Sequence, residues 1–242
     1  ISANYPRLRL PVNSKVKNDT IPFQLKGDRI YFKGRVNGSE LLNIQFDLGT
    51  DAVNVNKKSV RKMNIRFDEK GMLVNSNGMN EVRKSTDNTI AIHGLEWNRI
   101  EMYETSNMKN NEDIIIGNGF FLDRVFKIDY ENNILVLYEG LPEIESDFVK
   151  QNMILDNGVR PVIEATFRFK NEAYTGWFLF DTGNSGNGII GNQFLTKNNL
   201  YGRYSNLLGF GSKKIAFIPQ LVIANHTISD GVITLEKQKK KG

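Results

Sequence analysis

The 242-residue sequence has no cysteine. Thiol nucleophiles, thiolate metal sites and disulfide frameworks are therefore excluded together. Histidine is nearly absent as well: only His93 and His226 occur, far apart and without ligand-like neighbours. Histidine-rich zinc sites have no support, and no segment resembles a nucleophile elbow. No apolar run reaches the ~18 residues a membrane-spanning helix needs, so none is expected. The opening Ile-Ser-Ala-Asn-Tyr-Pro carries neither a basic stretch nor an apolar stretch of signal-peptide type. A start at Ile rather than Met is what a processed secretory protein shows, or a trimmed chain.

Excess charge is scarce too, despite a formal net charge of +5. Lys237, Lys239, Lys240 and Lys241 supply four of those charges, and a terminal lysine run is ordinarily a solvated tail. Basic and aromatic residues are not interleaved into a stacking platform, so no nucleic-acid partner is expected. Hydrophobic residues at 40% and charged residues at 24% leave enough apolar surface for a buried core throughout.

What is present is a succession of short alternating segments broken by Gly, Asn and Asp. Arg29 to Val36 alternates, Asn37-Gly38 gives a hairpin signal, and Leu41 to Phe46 returns and ends at Asp47. Further strands are predicted at Met72–Val74, Thr89–Ile92, Arg99–Tyr103, Ile114–Ile116, Arg124–Asp129 and Ile134–Tyr138. A short helix is predicted from Asn56 to Met63. Leu141-Pro142-Glu143 with neighbouring acids reads as a connection between two packing units, 1–141 and 142–242. Beyond it, Arg160 to Phe169 alternates, Lys170-Asn171-Glu172 turns, and Tyr174 to Phe180 returns and ends at Asp181. Strands near Ile215–Ile218 and Leu221–Ile223 follow a turn at Gly209-Phe210-Gly211-Ser212. The halves repeat one plan with the aspartates 134 residues apart, far too long a period for a solenoid.

The two motifs are Phe46-Asp47-Leu48-Gly49-Thr50 and Phe180-Asp181-Thr182-Gly183-Asn184. Each Asp ends an apolar strand, where it is costly unless hydrogen-bonded or sharing its charge. The glycine two residues on lets the backbone turn so that its N–H approaches the carboxylate. Asp-Xaa-Gly alone is an ordinary turn signature. Two copies in similarly built halves favour a site over coincidence.

At these residues the chain resembles the aspartic proteases, in particular bacterial relatives of the pepsin and retroviral families. The resemblance implies an all-β, two-lobed pepsin/retropepsin-like architecture with few short helices. It also implies an endopeptidase whose Asp47 and Asp181 form a dyad within a monomer. Gly49, Thr50, Thr182, Gly183, Asn184 and Ser185 would support that dyad. Flap hairpins are expected at Asn77, Gly78 and Met79 and at Gly209, Phe210 and Gly211. Ile115-Ile116-Gly117 matches the family's apolar-apolar-Gly strand, which threads between the ends of the aspartate strand. Its counterpart after Asp181 would fall near position 251, so the second lobe is expected to be incomplete at its C-terminus. Ile189-Ile190-Gly191 stands too close to Asp181 to serve.

Two positions depart from the pattern. Leu48 stands where a hydroxyl usually crosses between lobes, and Asn184 where the family has Ser or Thr. Extended polypeptide is the implied substrate, with no metal or cofactor and a periplasmic or cell-surface location. Two rival readings keep different parts of this: a peptide-binding relative with a decayed dyad, and a surface β-sandwich with Asp-Xaa-Gly turns or weak calcium ligands.

Overall fold

The computed structural model describes residues 18–75, 78–169, 172–203, 209–210 and 213–236. The lysine tail, the Lys170-Asn171 turn, Ser76-Asn77 and Gly211-Ser212 lie outside the described residues. The chain adopts the all-β architecture with few short helices that the sequence leads one to expect. It forms two compact units, and neither is one run of sequence. The first comprises Ile1–Ile144, Leu155–Pro161 and Phe180–Gly183; the second comprises Glu145–Ile154, Val162–Leu179 and Asn184–Gly242.

In the first unit the strands are β1 (Asn18–Pro22), β2 (Gln24–Lys26), β3 (Arg29–Val36), β4 (Leu42–Phe46), β5 (Val53–Asn56) and β6 (Glu69–Asn75). They continue with β7 (Gly78–Ile92), β8 (Leu95–Thr105), β9 (Ile114–Ile116), β10 (Val125–Asp129) and β11 (Ile134–Tyr138). Eight of them make one sheet in the order β2-β3-β4-β9-β5-β8-β7-β6, and β3 also pairs β7, so the sheet curls back on itself. A small sheet, β1-β11-β10, accompanies it. Asn37 and Gly38 take left-handed φ values of 48° and 70° in the β3–β4 connection, the conformation this dipeptide favours.

The placement of β9 matters most. It runs parallel to β4, pairing Ile44 with Ile114 and Phe46 with Ile116, and antiparallel to β5, pairing Asn54 with Ile115. The strand entering the Asp47 loop and the strand leaving it are thus held apart by a third. Alternation buries Leu42, Ile44 and Phe46 completely, together with Ile114 and Ile116. Phe46 meets Phe32, Phe121 and Phe126 with ring centroids 5.5–5.8 Å apart.

Asn56 to Met63 is not the predicted helix. Its first residue closes β5, and only Val60–Lys62 makes a single 3-10 turn. The reason is local competition: the Asn56 side chain donates to the Lys109 and Glu112 carbonyls and accepts from the Lys58 N–H, while Ser59 donates to Asp113.

The second unit carries the sheet order β12-β13-β17-β18-β15, with β14 on β13 and β16 on β17. Here β12 is Met153–Asp156, β13 Arg160–Phe169, β14 Glu172–Leu179, β15 Gly188–Ile190, β16 Gly209–Phe210, β17 Lys213–Ile223 and β18 His226–Glu236. The two strands predicted around Pro219 are one, β17. Two short helices went unpredicted, α1 (Asn192–Lys197) and α2 (Leu200–Arg203). Phe167, Phe178 and Phe194 cluster edge to face beside Leu195 and Leu200. Ile189-Ile190 belongs to β15, parallel to β18, and Gly191 caps α1. Among the described residues no strand pairs with both β14 and β15.

Candidate functional site

Asp47 follows β4 directly, and its own N–H donates to the Ile116 carbonyl of β9 at 2.9 Å. The chain after it turns at once, with the Gly49 N–H donating to Asp47 Oδ1 at 2.7 Å. Asp181 repeats this geometry: the Gly183 N–H donates to its Oδ1 at 2.8 Å. The expected glycine contacts are both present. The segment Phe180–Gly183 packs as part of the first unit, so both aspartate loops belong to one compact body.

The loops face one another closely. A methyl group on Gly49 would stand 2.8 Å from the Asp181 carboxyl carbon, and one on Gly183 would stand 2.3 Å from that of Asp47. Only a residue without a side chain leaves room for the two carboxyl groups. The Asp181 carboxyl stands close enough to act on the proton of Asp47. Asp47 is half-buried and Asp181 exposed. Burial, and then the charge of Asp181, push the Asp47 carboxyl up from its ordinary 3.8 to about 7, against the opposing pull of the Gly49 N–H and of Arg29.

Thr182 ties the loops together. Its hydroxyl accepts the Leu48 N–H at 3.0 Å and donates to the Phe46 carbonyl at 3.2 Å. The departure at Leu48 has a physical account, because its side chain is buried in the apolar core of the first unit. Leu48 contributes its backbone to the crossing and its side chain to packing.

Thr50 does not do what the resemblance implies. Its hydroxyl donates to the Ala52 carbonyl and accepts from the Ala52 N–H and Asn54 Nδ2, stabilising its own loop rather than the Asp47 carboxylate. The Thr50 carbonyl lies against Gly117, where a methyl group would come within 2.1 Å. Asn184 and Ser185 belong to the second unit. Asn184 closes a local turn there, accepting from the Gly186 N–H and donating to the Asn187 carbonyl, and Ser185 is exposed.

Of the flap residues, Gly78 and Met79 open β7 opposite Asn75 and Val74, so a hairpin stands where one was expected, with Met79 69% exposed. Asn77 lies outside the described residues. Gly209 and Phe210 form β16 against Lys214 and Lys213, and Gly211 lies outside the described residues.

Three residues of the site escaped sequence reasoning. Arg29 Nε donates to the Gly183 carbonyl at 2.5 Å, and its Nη1 contacts Glu112 at 3.3 Å. Glu112 is buried and also accepts from the Tyr31 hydroxyl and the Lys109 N–H. Asp113, equally buried, accepts from Ser59, from the Asn43 N–H and from Lys62, while its backbone bonds Asn43 and Asn56. Burial pushes its carboxyl up, but those three donors outweigh burial and hold it below the ordinary range. The acidic pair thus pins β9 in place through Asp113 and neutralises Arg29 through Glu112. Two adjacent acids before Ile-Ile-Ile-Gly were the only hint in the sequence.

Among the described residues no three His, Asp or Glu side chains converge as metal ligands. No helix among the described residues is long and apolar enough to cross a membrane.

No family model matches this sequence, and no curated protein does. Among solved structures, the chain is similar to a retropepsin-like aspartic protease from Rickettsia conorii, at 18% identity and a TM-score of 0.39. That match covers 51% of this chain and 92% of the other. A likeness that loose says nothing of activity.

Proposed function

We propose that this protein is an aspartic endopeptidase that hydrolyses peptide bonds with Asp47 and Asp181. One observation carries the reading: two carboxyl groups, each accepting the N–H of its own glycine, face each other across loops that only glycine permits. Two carboxylates so close do not both ionise readily and share one proton. Burial favours Asp47 as its carrier. In the cycle, the ionised partner takes a proton from a water as that water attacks the peptide carbonyl. Asp47 donates to the carbonyl oxygen and stabilises the tetrahedral intermediate. On collapse the partner carboxyl passes the water's proton to the leaving nitrogen as the C–N bond breaks. Asp47 recovers its own proton from the hydroxyl as the carbonyl re-forms, a cycle that calls on no metal or organic cofactor. The pair titrates as a unit. Activity is expected to fall as pH rises through about 7, where Asp47 loses its proton.

The substrate is an extended polypeptide, taken as an added strand beside the β6–β7 hairpin. Both aspartates lie in one chain, so a monomer suffices. The test is incubation with a mixed peptide library from about pH 3 to 8, beside the Asp181→Asn and Asp47→Asn variants. Cleavage lost in both variants supports the dyad. Cleavage retained in either one removes it, and tight peptide binding without cleavage at any pH returns the reading to a peptide-binding protein.

A further inference from the structure

In the first unit six strands close a ring. β3 pairs β4 antiparallel, β4 pairs β9 parallel, and β9 pairs β5 antiparallel. β5 pairs β8 parallel, and β8 and then β7 lead back antiparallel to β3. A closed ring leaves no strand edge open. The second unit repeats five of these strands with the same senses. β14 pairs β13 antiparallel, β13 pairs β17 antiparallel, β17 pairs β18 antiparallel, and β18 pairs β15 parallel. Among the described residues no strand takes the place of β9, so this ring is open between β14 and β15.

The two open edges carry none of the usual protection. Sheet edges are ordinarily blunted by lysine, proline or a bulge. Gly176-Trp177-Phe178-Leu179 and Gly188-Ile189-Ile190 contain neither residue, and the β13–β14 register runs unbroken from Val162 to Phe169. Trp177, Leu179 and Ile189 are exposed, while Phe178 and Ile190 pack on the unit's core.

The first unit shows what such a place accepts. Ile114-Ile115-Ile116 fills it, with Ile114 and Ile116 fully buried and Ile115 opposite Gln45 of β4 and Asn54 of β5. Leu179 stands two residues before Asp181 as Gln45 stands two before Asp47. Ile189 precedes the buried Ile190 as Asn54 precedes the buried Val55. Beside the middle residue, then, the first unit sets two polar side chains and the second sets two exposed aliphatic ones. A charged middle residue would lose water there and gain no partner, whereas an aliphatic one would cover both side chains.

We propose that the opening between β14 and β15 is a docking site for an extended aliphatic strand of a partner polypeptide, entering parallel to β14 and antiparallel to β15 as β9 does. Main-chain hydrogen bonds to both edges would supply affinity. Phe178 and Ile190 on one face, with Leu179 and Ile189 on the other, would select consecutive large aliphatic residues. β9 of a second copy is already held on both edges in its own ring, so the strand comes from another polypeptide. The opening lies wholly in the second unit, and docking there does not depend on whether the dyad cleaves.

The test uses the full-length Asp47→Asn chain, which leaves peptides uncut and β14 unaltered. A labelled peptide with Ile-Ile-Ile-Gly between polar ends is titrated by fluorescence anisotropy, and amide exchange is followed by NMR in the same samples. Saturable binding is expected, with exchange slowed at the edge-facing amides of β14 and β15. Replacing the central Ile of the peptide by Asp or by Pro is expected to weaken it about tenfold or more. Ile189→Lys, a change at an exposed position, is expected to weaken the parent peptide about tenfold as well. No binding, binding that slows exchange in the β6–β7 hairpin instead, or binding indifferent to both the central residue and Ile189→Lys overturns the docking site. Edge amides already protected without peptide overturn it too: a dimer by light scattering then gives the opening to a second copy, and a monomer gives it to the chain itself.

Discussion

The strand leading into Asp47 is paired along both edges, by β3 and by β9, whereas the strand leading into Asp181 is paired by β13 alone among the described residues. The consequence shows in burial. Leu42, Ile44 and Phe46 of β4 are fully buried, while Trp177 and Leu179 of β14 are 46% and 40% exposed. Ile189 of β15 and Phe217 of β17 are exposed in the same unit. Among the described residues the first unit's apolar core joins twenty buried hydrophobic side chains and the second unit's joins eight. At roughly 1.5–3 kcal/mol for each large buried side chain, the first unit holds the greater share of the hydrophobic stabilisation. The two aspartates are therefore fixed differently. Asp47 is held by its own sheet, through the Ile116 carbonyl and the tight seat of Thr50 on Gly117. Asp181 is held by side-chain bonds from Thr182 and Arg29.

The largest way to break this comparison is at Arg29. Arg29→Met frees the Gly183 carbonyl and leaves Glu112 buried without its cation, a loss expected at about 3–5 kcal/mol in urea melts, along with activity. The double variant Arg29→Met/Glu112→Gln should recover part of the stability without recovering the activity. Next comes the β9 seat. Gly117→Ala drives a methyl group to 2.1 Å from the Thr50 carbonyl and is expected to cost roughly 3 kcal/mol. Gly188→Ala in the second unit meets nothing nearer than 3.7 Å and should stay within about 0.5 kcal/mol. Equal losses at the two glycines would remove the contrast. Thr182→Val, nearly isosteric, strands the buried Leu48 N–H and is expected to cost about 1–3 kcal/mol and to slow cleavage.

A separate handle is the dependence of stability on pH. Asp47 binds its proton more tightly folded than unfolded, because its value rises from 3.8 to about 7. It therefore costs the fold nothing below about 4, progressively more between about 4 and 7, and a constant amount above that. Asp113 has the opposite sign: its lowered value contributes stability that is lost as pH falls below the ordinary carboxylate range. Thermal melts should decline from pH 4.5 to 7.5 in the wild type and flatten in Asp47→Asn. An unchanged slope in that variant would assign the decline to other groups.

Much of this was legible because its causes are local. Asp-Xaa-Gly after an apolar strand encodes its own turn and Asn-Gly encodes the β3–β4 connection, whereas Ile-Ile-Gly ends a buried strand on a close backbone approach at Gly117 but not at Gly191. Residues whose roles depend on distant partners were not legible. Arg29 and Gly183 are 154 positions apart, Arg29 and Glu112 83. The Thr50 hydroxyl could have faced either the carboxylate or its own loop, and no sequence feature chose between them. The helix misread at Asn56–Met63 shows the same limit: its polar side chains compete for backbone groups, and packing settles the outcome.

The most direct test of the central claim is the protonation of Asp47 itself, followed by carboxyl-carbon NMR of aspartate-labelled protein through the pH range. A dyad sharing one proton predicts a midpoint for Asp47 near 7, falling part of the way toward the ordinary range in Asp181→Asn as the neighbouring charge is removed. A midpoint near 4 in both proteins would mean that the two carboxyl groups do not act as a pair.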